Sequence, residues 1–423
     1  MHPVRRHKHM TTRHAVQDHP QLDLFGAVLK AYAGTGSMSN ADLYEKVSAE
    51  AGIPMSEVER KASIGKTGAM HSPVKRRLRW QQQTLKALGL LERDESARGT
   101  WRLTPKGREK LTPAAGRVVL LGFSTDLGLA LWAASSSVFP AIDEPITLCL
   151  TSPPYPLAKQ RAYGGPSAAE YVDWLTVQLE PIVKLLVPGG SVCLNVSNDI
   201  FEPGLPSRSL YRERLVIALC DRLGLHKMDE LIWHAPNKVP GPIQWASRSR
   251  QQLNTAWEPV YWFTNEPRMC KSDNRRVLKE HTEKHLKLIE RGGEGRTAEY
   301  GDGAYRLKPG AYGSQTAGRI PRNVITCSTN SGNKRQMRSA AIAQGLPTHG
   351  ALMPLPLARF LVEFLTEPGD LTVDPFFGWG TTGQACEELG CRWLGTELMG
   401  EHVLGAANGF RSAKGFAMAA KGW

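Results

Sequence analysis

No run of roughly eighteen apolar residues occurs anywhere in the 423-residue chain, so a membrane-spanning helix is not expected. The His- and Arg-rich start, Met1 to Pro20, has no apolar stretch of the kind a secretory signal needs. Residues 1–21 read instead as a disordered basic arm, and their histidines lack metal-ligand spacing. The seven cysteines (Cys149, Cys193, Cys220, Cys270, Cys327, Cys386 and Cys391) include no C-x-x-C pair, and several stand inside apolar runs. That argues against a zinc site or a disulfide frame and for reduced, buried thiols in a cytoplasmic protein. Acidic residues are in short supply: 40 Asp and Glu face 53 Lys and Arg, giving a formal charge of +13. Such a balance suits a polyanionic partner, although charge speaks of association and not of fold. The length exceeds one ordinary domain, and 41% hydrophobic residues suffice for real cores, so two domains are expected.

The chain is organised around Ile146-Thr147-Leu148-Cys149-Leu150-Thr151-Ser152-Pro153-Pro154-Tyr155. An apolar run that ends against a polar residue, two prolines and an aromatic reads as a central parallel strand emptying into a site, because proline cannot extend the ladder. A polyproline docking segment is the competing reading, but such segments lie in exposed linkers. Around this strand the pattern alternates. A strand at Arg117 to Gly122 and a helix from about Leu127 to Ser137 precede it. The loop Pro156 to Pro166, a helix Ala168 to Leu186 with Trp174 in the core, a strand Val192 to Val196, a helix Leu210 to Leu223 and strands at Leu231 to Trp233 and Val260 to Phe263 follow.

Between Glu266 and Arg322 periodicity fades, and thirteen Lys/Arg stand against eight Asp/Glu, 13 − 8 = +5. This reads as an inserted, substrate-facing module. His281 and His285 could face one metal, but Lys284 and Lys287 favour a solvated basic helix, and no metal is expected. Beyond it come a helix Leu355 to Leu365, a strand Asp370 to Asp374, the turn Phe376-Phe377-Gly378-Trp379-Gly380-Thr381, a helix Gly383 to Leu389 and a strand Arg392 to Thr396 closed by Glu397. Strand, glycine turn, helix, strand, acid is a nucleotide-binding order: glycine admits a ligand to the backbone, and the acid can take both ribose hydroxyls. The third glycine of the dinucleotide fingerprint is absent, which weighs against NAD and leaves adenosyl cofactors open.

The N-terminal part is helical and then strand-like. Leu24, Phe25, Val28, Leu29 and Tyr32 share helical spacing, Ser39-Asn40 offers an N-cap, Trp80 to Leu91 carries Leu85, Leu88 and Leu91 on one face, and a hairpin joins Leu90-Arg93 to Trp101-Thr104. Three helices and a wing describe a winged helix over residues 22–112. Its segments SNADLYEKV, HSPVKRRLRWQQQTLKALGLLERD and GTWRLTPKGREKL resemble the N-terminal domain of Mrr-type restriction proteins. That places Lys75, Arg76, Arg77 and Arg79 at the start of the third helix, where the fold commonly meets DNA. A solvated basic face is the competing reading.

Joined, Ser-Pro-Pro-Tyr and F-x-G-x-G resemble the amino-methyltransferases of DNA, in the circularly permuted β arrangement with the catalytic motif ahead of the cofactor motif, over Arg117 to Phe410 within a domain 116–423. The resemblance implies a Rossmann-like α/β methyltransferase fold, S-adenosylmethionine as cofactor and double-stranded DNA as partner, with residues 266–322 as target-recognition region. By it Asp374, Phe376, Gly378, Gly380 and Thr381 line the cofactor and Glu397 holds its ribose. His349-Gly350-Ala351 and Pro354 resemble a third cofactor element in which Gly350 replaces the usual proline. Ser152, Pro153, Pro154 and Tyr155 would be catalytic: the serine hydroxyl and the Pro153 carbonyl accept from the base's amino group, and Tyr155 stacks on the extruded base. Serine at the first position, with the following PLAKQRAYG and EYVDWL, resembles cytosine-N4 enzymes, and adenine N6 is the alternative. Lys159 and Arg161 in that loop are expected on DNA. Trp233 to Lys238 and Trp257-Glu258 resemble motifs around the base pocket. Two rival readings remain: an enzyme acting on RNA or protein, and a DNA-binding regulator with an inactive catalytic domain. A cognate restriction endonuclease would be another chain.

Overall fold

The computed structural model describes residues 28, 31–32, 37–50, 52–64, 69–87, 91–94, 97, 99–104, 113–114, 118–157, 165–330 and 332–419. The expected basic arm, the helical residues Leu24, Phe25, Leu29 and Leu88, and the site residues Lys159 and Arg161 lie outside them. The chain divides into two compact units, Met1–Lys110 and Leu111–Trp423.

In the first unit, strands β1 (Met38–Ser39), β4 (Leu91–Arg93) and β5 (Thr100–Leu103) form a small sheet in the order β1-β5-β4. β4 and β5 are the expected hairpin, with Leu91 opposite Leu103. The helix Asn40–Glu50 starts where expected: the Ser39 hydroxyl accepts from the Asp42 amide at 3.2 Å. A longer helix, Pro73–Ala87, follows a hairpin of β2 (Ala62–Ile64) and β3 (Ala69–His71) for which the sequence carried no clear signal. That helix ends before Leu91, contrary to the spacing of Leu85, Leu88 and Leu91, because Leu91 buries its side chain from the sheet instead. Val28, Tyr32, Leu43, Leu78, Leu85 and Trp101 close the core.

The second unit is built on a ten-stranded mixed sheet in the order β14-β10-β11-β9-β8-β15-β16-β7-β6-β17. Its strands are β6 (Leu120–Ser124), β7 (Gly128–Trp132), β8 (Ile146–Thr151), β9 (Leu186–Asn195), β10 (His226–His234), β11 (Trp257–Thr264), β14 (Val324–Thr326), β15 (Leu371–Asp374), β16 (Arg392–Glu397) and β17 (Ala417–Met418), while β12 (Ala298–Tyr300) and β13 (Tyr305–Leu307) pair apart. The centre, β9-β8-β15-β16-β7, is parallel. Every residue of β8 is buried, as a strand covered on both faces requires. Leu148 and Leu150 pack with the helices Leu355–Leu365 and Thr381–Leu389, whereas Ile146 and Cys149 pack with Tyr171–Lys184 and Tyr211–Leu223. This is the Rossmann-like α/β layering that the alternation predicts.

Two expected elements change. The segment Leu127 to Ser137 is not one helix: Gly128–Trp132 is a strand held by β16 and β6, followed by a short helix at Ser135–Val138. Gly128 pairs with Trp393 of β16, and a Cβ there would lie 2.3 Å from the Trp393 ring and carbonyl, so the close pairing needs glycine at that position. The helix expected to reach Leu186 ends at Lys184, and β9 begins at Leu186. The proline and glycines after it are absorbed where the β8–β9 register shifts between Ile146 and Leu148. The helix Gly332–Ala343 was not foreseen.

Gly395 on β16 faces the Phe377 ring, where an added Cβ would stand 2.1 Å from a ring carbon. Gly395→Ala should therefore lower stability by about 1–3 kcal/mol, the usual cost of overpacking. Chemical denaturation of the intact protein checks this, and an unchanged midpoint would mean that the ring and strand are not in contact.

Candidate active site

The parallel strands deliver five chain ends to one edge of the sheet, and a cavity of about 430 Å³ opens there. Ser152, Pro153, Pro154 and Tyr155 after β8, Asp374, Phe376, Gly378 and Thr381 at and after β15, Glu397 at the end of β16, and His349 from the loop before Leu355–Leu365 all line it. Ten of the expected site residues thus share one wall system. Gly380 and Pro354 do not line this cavity. Gly380 faces the core, where an added Cβ would lie 2.8 Å from the Phe377 ring, and its φ of 73° starts the helix Thr381–Leu389. Pro354 borders a much smaller hollow with Met337 and Leu352. Gly378 has a φ of 53° and a Cβ there would stand 3.2 Å from His349 Nε2, so both conformation and space favour glycine.

Asp374 is buried at the point where the catalytic and glycine turns meet. Thr151 Oγ1 donates to its Oδ1 at 2.6 Å, Thr382 Oγ1 to its Oδ2 at 2.7 Å, and the Phe376 amide to Oδ1 at 3.0 Å. Burial pushes its carboxyl up to about 6 despite these three donors, with Glu397 adding to the rise. Glu397 accepts from the Gly378 amide at 2.8 Å and the Met399 amide at 2.9 Å. Burial raises this carboxyl too, but His402, whose Nδ1 lies 3.5 Å away, the Met399 amide and His349 outweigh it and hold it below the ordinary value. Glu397 thus remains an anion with lone pairs to spare, as an acceptor for ligand hydroxyls must.

On the other wall, Ser152 Oγ lies 3.1 Å from Tyr155 Oη, and both hydroxyls approach Asn195 Oδ1, at 3.4 and 3.2 Å. The Tyr155 hydroxyl also reaches Glu258 Oε2 at 3.2 Å, and Lys238 Nζ holds the other oxygen of Glu258 at 2.7 Å. Burial first and Glu258 second push the Tyr155 hydroxyl well above its usual range. Trp174, expected in the core, lines the cavity with its ring 5.3 Å from that of Phe376. Its position on the Tyr171–Leu175–Leu179 face hid this. His402, Asn195, Thr151 and Thr382 were also missed. His402, five residues after Glu397 at the head of a helix, carried the one usable signal. Among the described residues no group of three or more His, Cys, Asp and Glu could hold a metal; the His281 and His285 rings meet edge to face at 4.7 Å, His281 Nε2 at the Thr316 hydroxyl and His285 Nε2 at the Tyr312 carbonyl.

A parallel sheet whose carboxyl edge joins a glycine turn and a ribose-type acid to a Ser-Pro-Pro-Tyr wall defines a Rossmann-like methyltransferase. The chain belongs to the DNA methylase family, whose pattern matches residues 146–408, and residues 23–112 match the Mrr N-terminal domain. The type II methyltransferase M.PvuII of Proteus hauseri is 32% identical over 269 residues, 64% of this chain and 78% of that protein. M.BglII of Bacillus subtilis is 24% identical, over 62% of each chain. A solved structure described as PvuII DNA methyltransferase (cytosine-N4-specific) matches with a TM-score of 0.54 and 28% identity, covering 68% of this chain and 87% of that one.

The raised Asp374 carboxyl costs stability in its charged form. That cost is fully present above pH 6 and is relieved as pH falls through about 6 toward the unfolded value near 3.8. Asp374→Asn keeps the geometry, since Thr382 Oγ1 can turn to the Leu150 carbonyl at 3.3 Å. From pH 7 to pH 4 the wild type should gain on the order of 3 kcal/mol relative to Asp374→Asn. Denaturant unfolding of both proteins across that range tests it, and a pH-independent difference would place Asp374 in contact with water.

Proposed function

We propose that this protein transfers a methyl group from S-adenosylmethionine to the exocyclic N4 of cytosine in duplex DNA. The observation that carries the reading is the single cavity shared by the Ser152–Tyr155 turn and the Asp374–Glu397 cofactor elements. Its volume lies within the range of small-molecule sites, and the acid, the close backbone at Gly378 and the Phe376–Trp174 rings fit the ribose, the amino-acid part and the adenine. Bound there, the cofactor supplies an electrophilic methyl on a sulfonium. The base amine is conjugated and barely basic, so placement supplies the catalysis: Ser152 and the Pro153 carbonyl accept its hydrogens and aim the lone pair. Tyr155 stacks on the extruded base, worth about 1–3 kcal/mol against a flipping cost of a few.

The cytosine preference is supported by Ser152 and by the description of the PvuII structure. The type II relatives support a restriction-modification setting with a separately encoded nuclease, and a DNA-associated protein inside the cell. No helix among the described residues is long and apolar enough to cross a membrane. Residues 266–322 are the region we assign to base reading, with the winged helix 22–112 as a DNA clamp. There Arg76, Arg77 and Arg79 are exposed, whereas Lys75 is tied to Glu59 at 2.5 Å and lies over the Tyr44 ring. Lys75 thus has an ion-pair partner within its own unit, while the three arginines are exposed.

Tyr155→Ala and Glu397→Ala separate the two halves of the site. The first should lower turnover by roughly 10- to 100-fold, in line with lost stacking, while calorimetry still detects cofactor binding. The second should weaken cofactor binding by at least about tenfold, the worth of a hydrogen bond to a charged group. Nucleoside analysis of DNA from an expressing host should show N4-methylcytosine, and N6-methyladenine alone would transfer the assignment to adenine. If both variants bind the cofactor and turn over as the wild type does, the site has been mislocated.

Replacing Arg76, Arg77 and Arg79 together with Gln removes up to three phosphate contacts. The slope of log affinity against log salt should shallow by about 2–3, at roughly 0.9 per contact, while the methylated motif stays the same. An unchanged slope would remove this helix from the DNA interface, and a changed motif would make it a reader of sequence.

A further inference from the structure

Methylating an amine leaves one proton too many on the nitrogen, and the site must dispose of it. Ser152 and Tyr155 line the cavity; Glu258, at the start of β11, does not. Yet these three residues form an unbroken line of polar contacts, Ser152 Oγ to Tyr155 Oη at 3.1 Å and Tyr155 Oη to Glu258 Oε2 at 3.2 Å. Glu258 is 14% exposed, and the Lys238 ammonium, 19% exposed, fixes its Oε1 at 2.7 Å, which turns Oε2 toward the tyrosine. A carboxylate largely withdrawn from water, held by one cation and aimed at a catalytic hydroxyl, is an arrangement that structural packing alone does not call for.

Resting on the function proposed above, we propose that Glu258 receives the proton released by methyl transfer, by way of Ser152 and Tyr155, with Lys238 holding it as the anion. The lone pair of the base nitrogen forms the new bond to the methyl carbon as the carbon–sulfur bond breaks with its pair going to sulfur. The nitrogen, now positively charged, gives its surplus proton to Ser152 Oγ. The proton of Ser152 passes to Tyr155 Oη, and that of Tyr155 to Glu258 Oε2. Each hydroxyl ends neutral, as it began, and the carboxylate ends protonated. Burial and the charge of Glu258 make a tyrosinate costly here, so Tyr155 gives up a proton only while taking another. Asn195 Oδ1, within 3.4 Å of both hydroxyls, holds them in line. Glu258 acts through Tyr155 and touches no substrate.

The groups that face Glu258 are Lys238 from the loop after β10, Tyr155 from the turn after β8, Asn195 at the end of β9, whose Nδ2 donates to Oε2 at 3.5 Å, and Tyr211 from the helix Tyr211–Leu223. Among them Glu258 is the carboxylate that ends the line of contacts, and a proton already on it blocks the relay. The test uses full-length wild type, Glu258→Gln, Tyr155→Phe and the double variant, with unmethylated plasmid DNA in single turnover from pH 5 to pH 9. Calorimetric binding of S-adenosylmethionine and of S-adenosylhomocysteine and thermal unfolding are measured beside it. We expect each single variant to bind both ligands as the wild type does and to methylate at least tenfold more slowly. The wild-type rate should fall on the acid side, that fall should be gone in both, and the double variant should be no slower than either. Tyr155→Phe keeps the stacking ring, so its loss reports the hydroxyl alone. Wild-type rates in Glu258→Gln, a retained acid limb, or multiplying losses in the double variant would each overturn the relay while leaving the enzyme's function standing. A wild type that forms no N4-methylcytosine would sink the function and the relay together.

Discussion

The second unit depends on one buried carboxylate. Asp374 ends β15, and its two oxygens accept hydrogen bonds from the hydroxyls of Thr151, the last residue of β8, and of Thr382, in the first turn of the helix Thr381–Leu389. The catalytic turn and the glycine turn leave from these two neighbouring strand ends, so their separation is set by two bonds of 2.6 and 2.7 Å. An unpaired anion at that depth would cost several kcal/mol; three donors offset part of it, and the raised carboxyl measures what remains. The strain sits where the two halves of the reaction must be aligned.

This constraint also explains why chain order matters so little to the chemistry. Thr151 and Asp374 are 223 residues apart, yet β8 and β15 are neighbours in register, Leu148 opposite Thr372. The sheet brings the methyl donor's side and the base's side together whichever is met first along the chain. What the permuted order does alter is the intervening path, which here carries β9 to β14, the loop of Lys238 and the basic stretch 266–322.

Much of this was legible because it rests on short-range physics. An apolar strand stopped by two prolines, a glycine turn after a strand and an acid after the next strand each leave a local mark, and ten of the expected residues share one cavity. The failures have a common cause as well. Leu127 to Ser137 has helical spacing, and pairing with β16, some 260 residues downstream, and with β6 makes Gly128–Trp132 a strand. Trp174 stands beside a face whose spacing reads as core and does pack against that core, yet it also meets Phe376 and lines the cavity. Gly380 belongs to the cofactor motif by sequence but serves the packing of Phe377 and Phe410. Partners distant in sequence decided each case.

The two walls of the cavity solve opposite electrostatic problems. On the cofactor side, Glu397 is kept ionised by two amides and His402, so a fixed negative charge stands where a cationic, hydroxyl-bearing ligand would lie. On the Ser152–Tyr155 wall the described residues present the Ser152 and Tyr155 hydroxyls to the cavity. The negative charge on that side is set one residue back, on Glu258, behind Tyr155 and neutralised by Lys238. In the function and relay proposed above, a site that attracts a cation, holds a neutral nucleophile and then loses a proton has its anions at two distances, and the start of β11 places the second behind Tyr155.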